Sequence, residues 1–199
     1  SIHRGKTYDL CDFFTQFPPT IWFADGSRLD GNMHTELRVA AALFSRDRLQ
    51  VVDWRGIDIK KESQREERRT DSVQYRAIEI LRVKNNYDVL FDSSGKCEAA
   101  DIVGIGVDDH AAPRLITVDL VHCKSSGGDA PGARIDDMYE VCGQAQRSVT
   151  WLHNKDRRTD LFAHLLKREA SRIEAGRPSR LEVGTNERLV ELREISRTC

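Results

Sequence analysis

Asp101 and Lys124 stand at the ends of two neighbouring apolar runs, where a carboxylate and a lysine can meet in one site. Asp101 precedes the run Ile102 to Val107, and Lys124 follows the run Leu115 to Val121. Hydrolysis of a phosphodiester near neutral pH uses a divalent cation that neutralises the phosphate and activates water, and it benefits from a fixed positive charge nearby. Hard metals such as magnesium bind oxygen ligands, usually one or two carboxylates with water. The two residues therefore predict a metal-dependent phosphodiesterase site.

His122 and Glu79 are further candidates for this site. His122 lies two positions before Lys124, and the period of two in a strand puts both side chains on one face. Glu79 lies in a preceding helical period and would supply a second carboxylate from a helical layer, with Asp119 and Glu140 as alternatives. The predicted catalytic residues are Lys124, Asp101, Glu79 and His122. The predicted ligands of Mg²⁺ or Mn²⁺ are Asp101, Glu79 and His122.

The elements that must position these residues follow from apolar spacing and turn residues. A helical period begins at a cap, Thr70 or Asp71, and ends at Asn85-Asn86. Three apolar runs bounded by turns then predict neighbouring strands of a largely buried sheet, at 87–91, 102–107 and 115–121. Further helices are predicted after a Gly-rich loop at 125–132, at about 134–151, 161–175 and 186–199. The predicted class is α/β, with a small β-containing N-terminal segment and a helical C-terminal tail.

The chain is expected to divide into three segments. Residues 1–69 are predicted as the β-containing segment with a charged linker, 70–152 as the core, and 153–199 as a basic helical tail packed on or extending from the core. Within the first segment, strands are predicted at 20–23 and 49–54, with a turn at 24–27 and a continuation at 57–59. The mixed-charge run 60–69 has no apolar stripe and predicts a solvent-exposed linker or a helix start.

At these positions the chain resembles the PD-(D/E)XK nuclease superfamily, whose pattern is a helix with Glu, a strand with Asp near one end, and a strand ending in (D/E)xK. Glu79, Ala100-Asp101-Ile102-Val103 and His122-Cys123-Lys124 match it in order and spacing, within about residues 72–151. The resemblance implies a restriction-endonuclease-like core of helix, central mixed sheet and helix. It also implies metal-dependent cleavage of nucleic acid, DNA more than RNA, in which Lys124 orients water or stabilises charge.

The sequence departs from that pattern at His122, which replaces the acid of (D/E)xK. Imidazole ligates manganese, zinc and other transition metals better than magnesium. Either Glu79 or another carboxylate restores the ligand set, or metal binding is lost. Two hypotheses therefore stay open: an active nuclease domain, and an inactive nuclease-fold module that binds nucleic acid or docks a partner protein. A third is a protein-interaction domain without either role.

Two further similarities concern the region after Lys124. Gln144 and Gln146 resemble the glutamine that RecB-type members of the superfamily place beside the site, and both are candidate site-lining residues, although the tyrosine expected four residues later is absent. The strings at 122–126 and 131–134, with Asp25-Gly26-Ser27 upstream, are similar to a region of large bacterial helicase-like proteins. This similarity implies a DNA-processing or phage-defence protein whose helicase or other domains are partners of this one.

Charge is distributed unevenly along the 199 residues. Residues 88–140 carry eleven acids against four bases, and residues 147–180 carry nine bases against four acids, as a metal site beside a polyanion track would. Candidate phosphate contacts in the basic part are Arg147, Lys155 and Arg158, with Arg157, Lys167, Arg168 and Arg172 beside them.

The remaining composition excludes several other classes of protein. Five scattered cysteines without a CxxC pair argue against disulfides and structural zinc, and predict free, mostly buried thiols. No apolar run is long enough for a membrane span, so a soluble, cytoplasmic protein is expected.

Overall fold

The computed structural model describes residues 2–3, 6–7, 9–23, 27–36, 45–84, 86–111, 114–130, 132, 134–153 and 158–197. The chain forms two units, Ser1–Val52 and Asp53–Cys199. None of the helices in the described ranges is both long and apolar enough to cross a membrane.

The described residues of the N-terminal unit form two small antiparallel sheets and one short α-helix. Its elements are β1 (Ile2–His3), β2 (Lys6–Thr7), α1 (Leu10–Gln16), β3 (Thr20–Trp22), β4 (Arg28–Asp30) and β5 (Met33–Thr35), followed by a 3₁₀ turn at Arg46–Arg48. β1 pairs with β2, and β3, β4 and β5 form a meander. The strand predicted at 20–23 is confirmed as β3, whereas α1 was not predicted. The predicted turn at 24–27 lies mostly outside the described residues.

The strand predicted at 49–54 is wrong, as is its continuation at 57–59. These residues have no strand pairing, and the side chain of Val51 is fully exposed. An apolar run alone does not make a strand, because its backbone N–H and C=O groups need a paired neighbour. Here the backbone turns instead, and Ile57 N–H donates to the Trp54 carbonyl at 3.0 Å.

The C-terminal unit contains four strands and five helices among its described residues. They are α2 (Val73–Lys84), β6 (Val89–Asp92), β7 (Ile102–Asp108), β8 (Leu115–Val121), α3 (Ile135–Ser148), α4 (Thr150–His153), α5 (Arg158–Glu174), β9 (Leu181–Val183) and α6 (Asn186–Ser196). The predicted helix, three strands and later helices are all present at nearly the predicted bounds, and the α/β class is confirmed. β9 was not predicted, because three residues are too few to show a period.

The sheet has the strand order β8-β7-β6-β9, and every described pairing in it is antiparallel. The prediction of a mixed sheet is therefore wrong. β6, β7 and β8 follow one another through short connections, which permit only antiparallel neighbours, since a parallel pair needs a crossover of a dozen or more residues. β9 returns through α5 and also lies antiparallel to β6.

Side chains alternate between two helical layers on the faces of this sheet, as the strand period of two requires. Val89, Phe91 and Val103 face one layer, where they pack in a buried cluster with residues of α5 and α6. Leu90 and Ile102 face the other, where the cluster includes residues of α2. The predicted arrangement of helix, central sheet and helix is thus present as a layering, and it fixes the strand ends that carry Asp101 and His122.

Residues 60–69, predicted as a solvent-exposed linker or a helix start, are exposed at 65–68 and hydrogen-bond to the start of α2 from 61, 62 and 64. The first turn of α2 has backbone N–H groups that lack partners within the helix. Val73 N–H donates to the Lys61 carbonyl at 2.8 Å, and Gln74 N–H donates to the Glu62 carbonyl at 2.9 Å. Gln64 is buried between α2 and the sheet. The segment therefore completes the N-terminus of α2.

The helices of the C-terminal segment pack against the sheet. Leu161 and Leu165 of α5 and Leu189 and Leu192 of α6 are fully buried in the larger apolar cluster. Residues 158–197 thus supply one of the two helical layers on the sheet.

Candidate functional site

The register of β7 and β8 brings Asp101 and His122 together. Ile102 pairs with Val121, so the next residues outward along the two strands are Asp101 and His122. His122 Nδ1 lies 3.3 Å from Asp101 Oδ2. The backbone N–H of Cys123 donates to the same oxygen at 2.9 Å. Both contacts use Oδ2, and no described residue donates a hydrogen bond to Oδ1.

His122 lies between Asp101 and α3, with one ring nitrogen towards each. Its Nε2 lies 2.8 Å from Ser148 Oγ on α3, and that hydroxyl donates its only hydrogen to the Gln144 carbonyl at 3.0 Å. Ser148 must therefore accept a hydrogen bond from His122 Nε2–H. Nδ1 then faces Asp101 and has no hydrogen-bond partner among the described residues. Nδ1 is therefore the nitrogen that a metal ligand at this position would use.

The environment of Asp101 disfavours its negative charge. Burial raises the pKa of Asp101, and the charges of Glu98 and Glu62 raise it further, while the Cys123 N–H and His122 act in the opposite direction. A carboxylate that is both desolvated and surrounded by like charges is stabilised by a bound cation. The site therefore lacks positive charge at Asp101.

Lys124 lies beside carboxylates and not beside Asp101 itself. Its Nζ is 2.6 Å from Glu140 Oε1 and 3.6 Å from Glu62 Oε2. The hydrogen bond to Glu140 raises the pKa of Lys124, so its ammonium group stays charged at neutral pH. Glu62 Oε2 also accepts from the backbone N–H and the hydroxyl of Ser125, at 2.9 and 2.8 Å. Glu62 is thus held between Lys124 and a cavity that it lines together with Asp101.

A cavity of about 500 Å³ lies in front of Asp101. Two positive side chains in its lining, Arg65 and Arg180, are outnumbered by acids. The carboxylates in the lining are those of Glu62, Glu66, Asp92, Glu98 and Asp101. We call this the acidic cavity, and Glu79, the carboxylate predicted on α2, is not in its lining.

Two buried glutamines hold the wall of the acidic cavity. Gln74 Nε2 donates to Asp92 Oδ1 at 2.9 Å and to the Asp101 carbonyl at 3.2 Å, while its Oε1 accepts from Gln64 N–H at 2.9 Å. Gln64 Nε2 donates to Asp92 Oδ2 at 3.0 Å and to Glu182 Oε1 at 2.8 Å. These hydrogen bonds connect α2 and residues 61–64 to the end of the sheet at which Asp101 precedes β7.

The structure places Glu79 away from these contacts. Its carboxylate accepts from Arg82 at 2.9 Å and is well exposed, and it is not among the charges that act on Asp101. Gln74 is the α2 side chain that reaches the site. Among the alternatives, Asp119 accepts from the Tyr87 hydroxyl at 2.6 Å, and Glu140 pairs with Lys124.

The remaining predicted residues occupy α3 and its surroundings. Gln144 is half-buried and contributes its carbonyl to Ser148, whereas Gln146 and Arg147 are exposed. Lys155 lies outside the described residues, and Arg158 is described only as the first residue of α5.

The cysteines differ from the prediction of mostly buried thiols. Cys123 is buried, whereas Cys11, Cys97 and Cys142 are exposed. Cys123 packs beneath the site, and its burial and the nearby Asp101 raise the pKa of its thiol far above the ordinary range. It is therefore an inert packing residue.

The donor set of the acidic cavity suits a hard divalent cation that keeps much of its water. Among the described residues, no group of three His, Cys, Asp or Glu side chains is placed to hold a metal ion. Magnesium and manganese are commonly held by one or two carboxylates, with water and substrate phosphate completing the shell. Asp101 with Glu62 or Glu98 fits that pattern, and a closed protein cage does not.

Sequence reasoning missed Glu62, Glu98 and Gln74. Glu62 and Glu98 lie in irregular segments, where no period indicates which way a side chain points. Gln74 did carry a signal, since it lies four residues before Ile78 and seven before Leu81, on the apolar stripe of α2. A polar residue on such a stripe indicates either that its side chain is buried and hydrogen-bonded or that the helix prediction is wrong.

Comparisons of this chain with models of protein families, with curated proteins and with solved structures found no match.

Proposed function

We propose that the C-terminal unit is a metal-dependent nuclease domain that hydrolyses phosphodiester bonds in nucleic acid, DNA in preference to RNA. One observation carries the proposal: the β7–β8 register sets a buried, cation-deficient Asp101 in a cavity that also contains Glu62, with Lys124 Nζ 3.6 Å from that second carboxylate. A metal-binding pair and a fixed lysine are what phosphodiester hydrolysis needs.

Each residue has a distinct role in this proposal. Asp101, with Glu62 or Glu98, would hold Mg²⁺ or Mn²⁺, which when bound neutralises phosphate charge and activates water. Lys124 stays protonated and stabilises the charge that develops on the phosphate or orients the attacking water. His122 Nδ1, which lies 3.3 Å from Asp101 Oδ2 and has no hydrogen-bond partner among the described residues, would add a nitrogen ligand, while Nε2–H is held by Ser148.

The test compares the whole chain with Asp101→Asn and Lys124→Ala on plasmid, linear and single-stranded DNA and on RNA, with Mn²⁺, Mg²⁺ or EDTA. We expect metal-dependent cleavage that falls at least about 100-fold in each variant, because removal of one charge-stabilising group typically costs 10²–10³ in rate. Lys84→Ala, which removes an exposed lysine from the end of α2, is the control and should leave the rate unchanged. Equal rates in wild type and Lys124→Ala would refute the proposal.

The alternative is a nuclease-fold module that binds nucleic acid or a partner domain without cleaving it. It is favoured by the ion pair between Lys124 and Glu140, which already neutralises the lysine that the chemistry needs. Glu140→Gln separates the two functions. In an active enzyme it frees Lys124 and does not abolish cleavage, whereas an inactive module shows salt-dependent binding and no turnover in either form.

A further inference from the structure

A second cavity, of about 480 Å³, lies beside the acidic cavity and has the opposite charge. We call it the basic cleft. Its positive lining residues come from the β6–β7 connection, from α5 and from the segment before β9, and they are Lys96, Lys167, Arg168, Arg172, Arg177 and Arg180. Concave sites of this size accommodate small molecules or a nucleotide-sized part of a polymer.

The positive charge of the basic cleft exceeds the acids that pair with it. Glu66 lies 3.4 Å from Arg172 and 3.6 Å from Arg177, so one carboxylate serves two guanidinium groups. Asp92 lies 3.1 Å from Arg180. No described carboxylate forms an ion pair with Lys96, Lys167 or Arg168. Three of the six positive side chains therefore have no ion-pair partner among the described carboxylates, and the charges of Glu98 and Asp92 act on Arg168 only without direct contact.

Arg168 is held in place by neutral partners. It donates from Nη1 to the Lys96 carbonyl at 2.5 Å and from Nη2 to the Ser93 and Ser94 carbonyls at 3.2 and 2.9 Å. Its Nε is buried and has no hydrogen-bond partner within the described residues. Burial and the nearby Arg180 lower the pKa of Arg168, while the charges of Glu98 and Asp92 act in the opposite direction. Carbonyl groups orient this guanidinium without neutralising it, which is how an anion site is prepared.

The basic cleft and the acidic cavity adjoin each other. Arg180 lines both of them, and Glu66 lines the acidic cavity while pairing with Arg172 of the basic cleft. Along the chain, Cys97 lines the basic cleft and the next residue, Glu98, lines the acidic cavity. A polyanion with one phosphate over Asp101 therefore meets uncompensated positive charge at the neighbouring position.

We propose that the basic cleft binds a phosphate group of the nucleic-acid strand next to the phosphate that lies over Asp101, and so sets which bond is presented for cleavage. Only the role in choosing the bond for cleavage rests on the proposed nuclease function. Phosphate binding by the cleft stands on the charges and the geometry of the cleft itself. The phosphate is either an internal diester or the monoester at a strand end.

The test measures binding of a short fluorescein-labelled single-stranded oligonucleotide to the whole chain in EDTA, where metal-dependent cleavage does not interfere. The variant is Lys96→Gln/Lys167→Gln, since both lysines are exposed and neither side chain supports the fold. We expect about tenfold weaker binding and a log–log salt slope shallower by about 0.7, because the loss of one phosphate contact on a single strand removes about 0.7 from the slope. Lys60→Gln/Lys84→Gln removes the same charge outside the cleft and should bind within twofold of wild type.

Cys97 supplies a readout at the cleft itself. It is exposed, lines the cleft, and has a φ of 59° that holds its backbone in the left-handed region. We expect the oligonucleotide to slow alkylation of Cys97, measured by peptide mass spectrometry, while Cys11 and Cys142 react unchanged as internal controls. Oligonucleotides with a 5′-phosphate, a 3′-phosphate or hydroxyl groups at both ends show whether the bound phosphate is an internal diester or a terminal monoester. A preference for one phosphorylated end that the double variant loses assigns the monoester, and equal binding assigns the diester.

Both results are required, and the absence of either one overturns the inference. If the double variant binds as tightly as its control, or if Cys97 reacts equally fast with and without oligonucleotide, the cleft does not bind phosphate. Binding and protection without any metal-dependent cleavage would leave the phosphate site standing and refute the proposed nuclease activity. The two proposals can therefore fail separately.

Discussion

Replacement of Gln74 by methionine tests whether α2 holds the wall of the acidic cavity. Gln74 is 1% exposed and makes three hydrogen bonds, to Asp92, to the Asp101 carbonyl and from Gln64 N–H. Gln74→Met keeps the length of the side chain and removes all three. The Asp101 carbonyl retains a partner, because Ser93 N–H also donates to it at 2.9 Å. The net loss thus concerns the Gln64 N–H and the Asp92 carboxylate.

The expected cost follows from these two groups. A buried donor left without a partner costs about 1–3 kcal/mol, and loss of a hydrogen bond to a charged group costs about 1.5–3 kcal/mol. Burial of the methionine returns about 1 kcal/mol. We therefore expect Gln74→Met to lower the free energy of unfolding by about 3 kcal/mol. For a unit of this size, that corresponds to a fall in Tm of about 6–12 °C.

Thermal unfolding followed by far-UV circular dichroism measures this change, since most of the helix lies in the C-terminal unit. Gln146→Met, on the exposed side of α3, is the matched control and should change stability by no more than about 0.5 kcal/mol. If Gln74→Met unfolds within 2 °C or so of that control, Gln74 does not make these bonds and the account of the cavity wall is wrong.

Two further predictions concern ionisation at the site. The pKa of Asp101 is raised in the folded state, mainly by burial. The folded protein therefore keeps this proton in a pH range where the unfolded chain has lost it, and the contribution of Asp101 to stability falls as the pH rises. Asp101→Asn should therefore gain stability relative to wild type between pH 4 and neutral pH in urea titrations, and an equal difference at both ends of that range would contradict the burial of Asp101. For the thiols, a maleimide should modify Cys11, Cys97 and Cys142 in the native protein and Cys123 only after unfolding, since burial raises the pKa of Cys123 and hides it; native labelling of Cys123 would show that the second apolar cluster is open.

The parts of the fold that the sequence predicted are those with a strong local signal. β8 begins and ends at the predicted residues because Leu115 to Val121 is a mainly apolar stretch of strand-forming residues that follows a turn. The pairing of Asp101 with His122 was predictable for the same reason, since both residues flank strands that are adjacent in the chain. The antiparallel direction of β6, β7 and β8 also follows from the short connections between them.

The second carboxylate was not predictable in this way. Glu79 was chosen because it lies on a helix, where the period assigns a face, but it is adjacent to Ile78 and off the buried stripe. Glu62 lies in a segment whose path is set by hydrogen bonds to the start of α2, ten or more residues further along the chain. Contacts of that kind depend on the folded route of the backbone and leave no periodic trace in the residues themselves.

The peptide at Glu62 serves two neighbours at once, which limits how this protein can be divided. Its carbonyl accepts from Gln74 N–H at the start of α2, and its carboxylate faces Lys124 and Ser125. A fragment that begins at residue 70 would lose both the helix cap and a carboxylate of the acidic cavity, although it keeps every residue of the recognisable motif. In a domain exchange or a gene fusion, the segment that is transferred should therefore begin at Asp53, the first residue of the C-terminal unit.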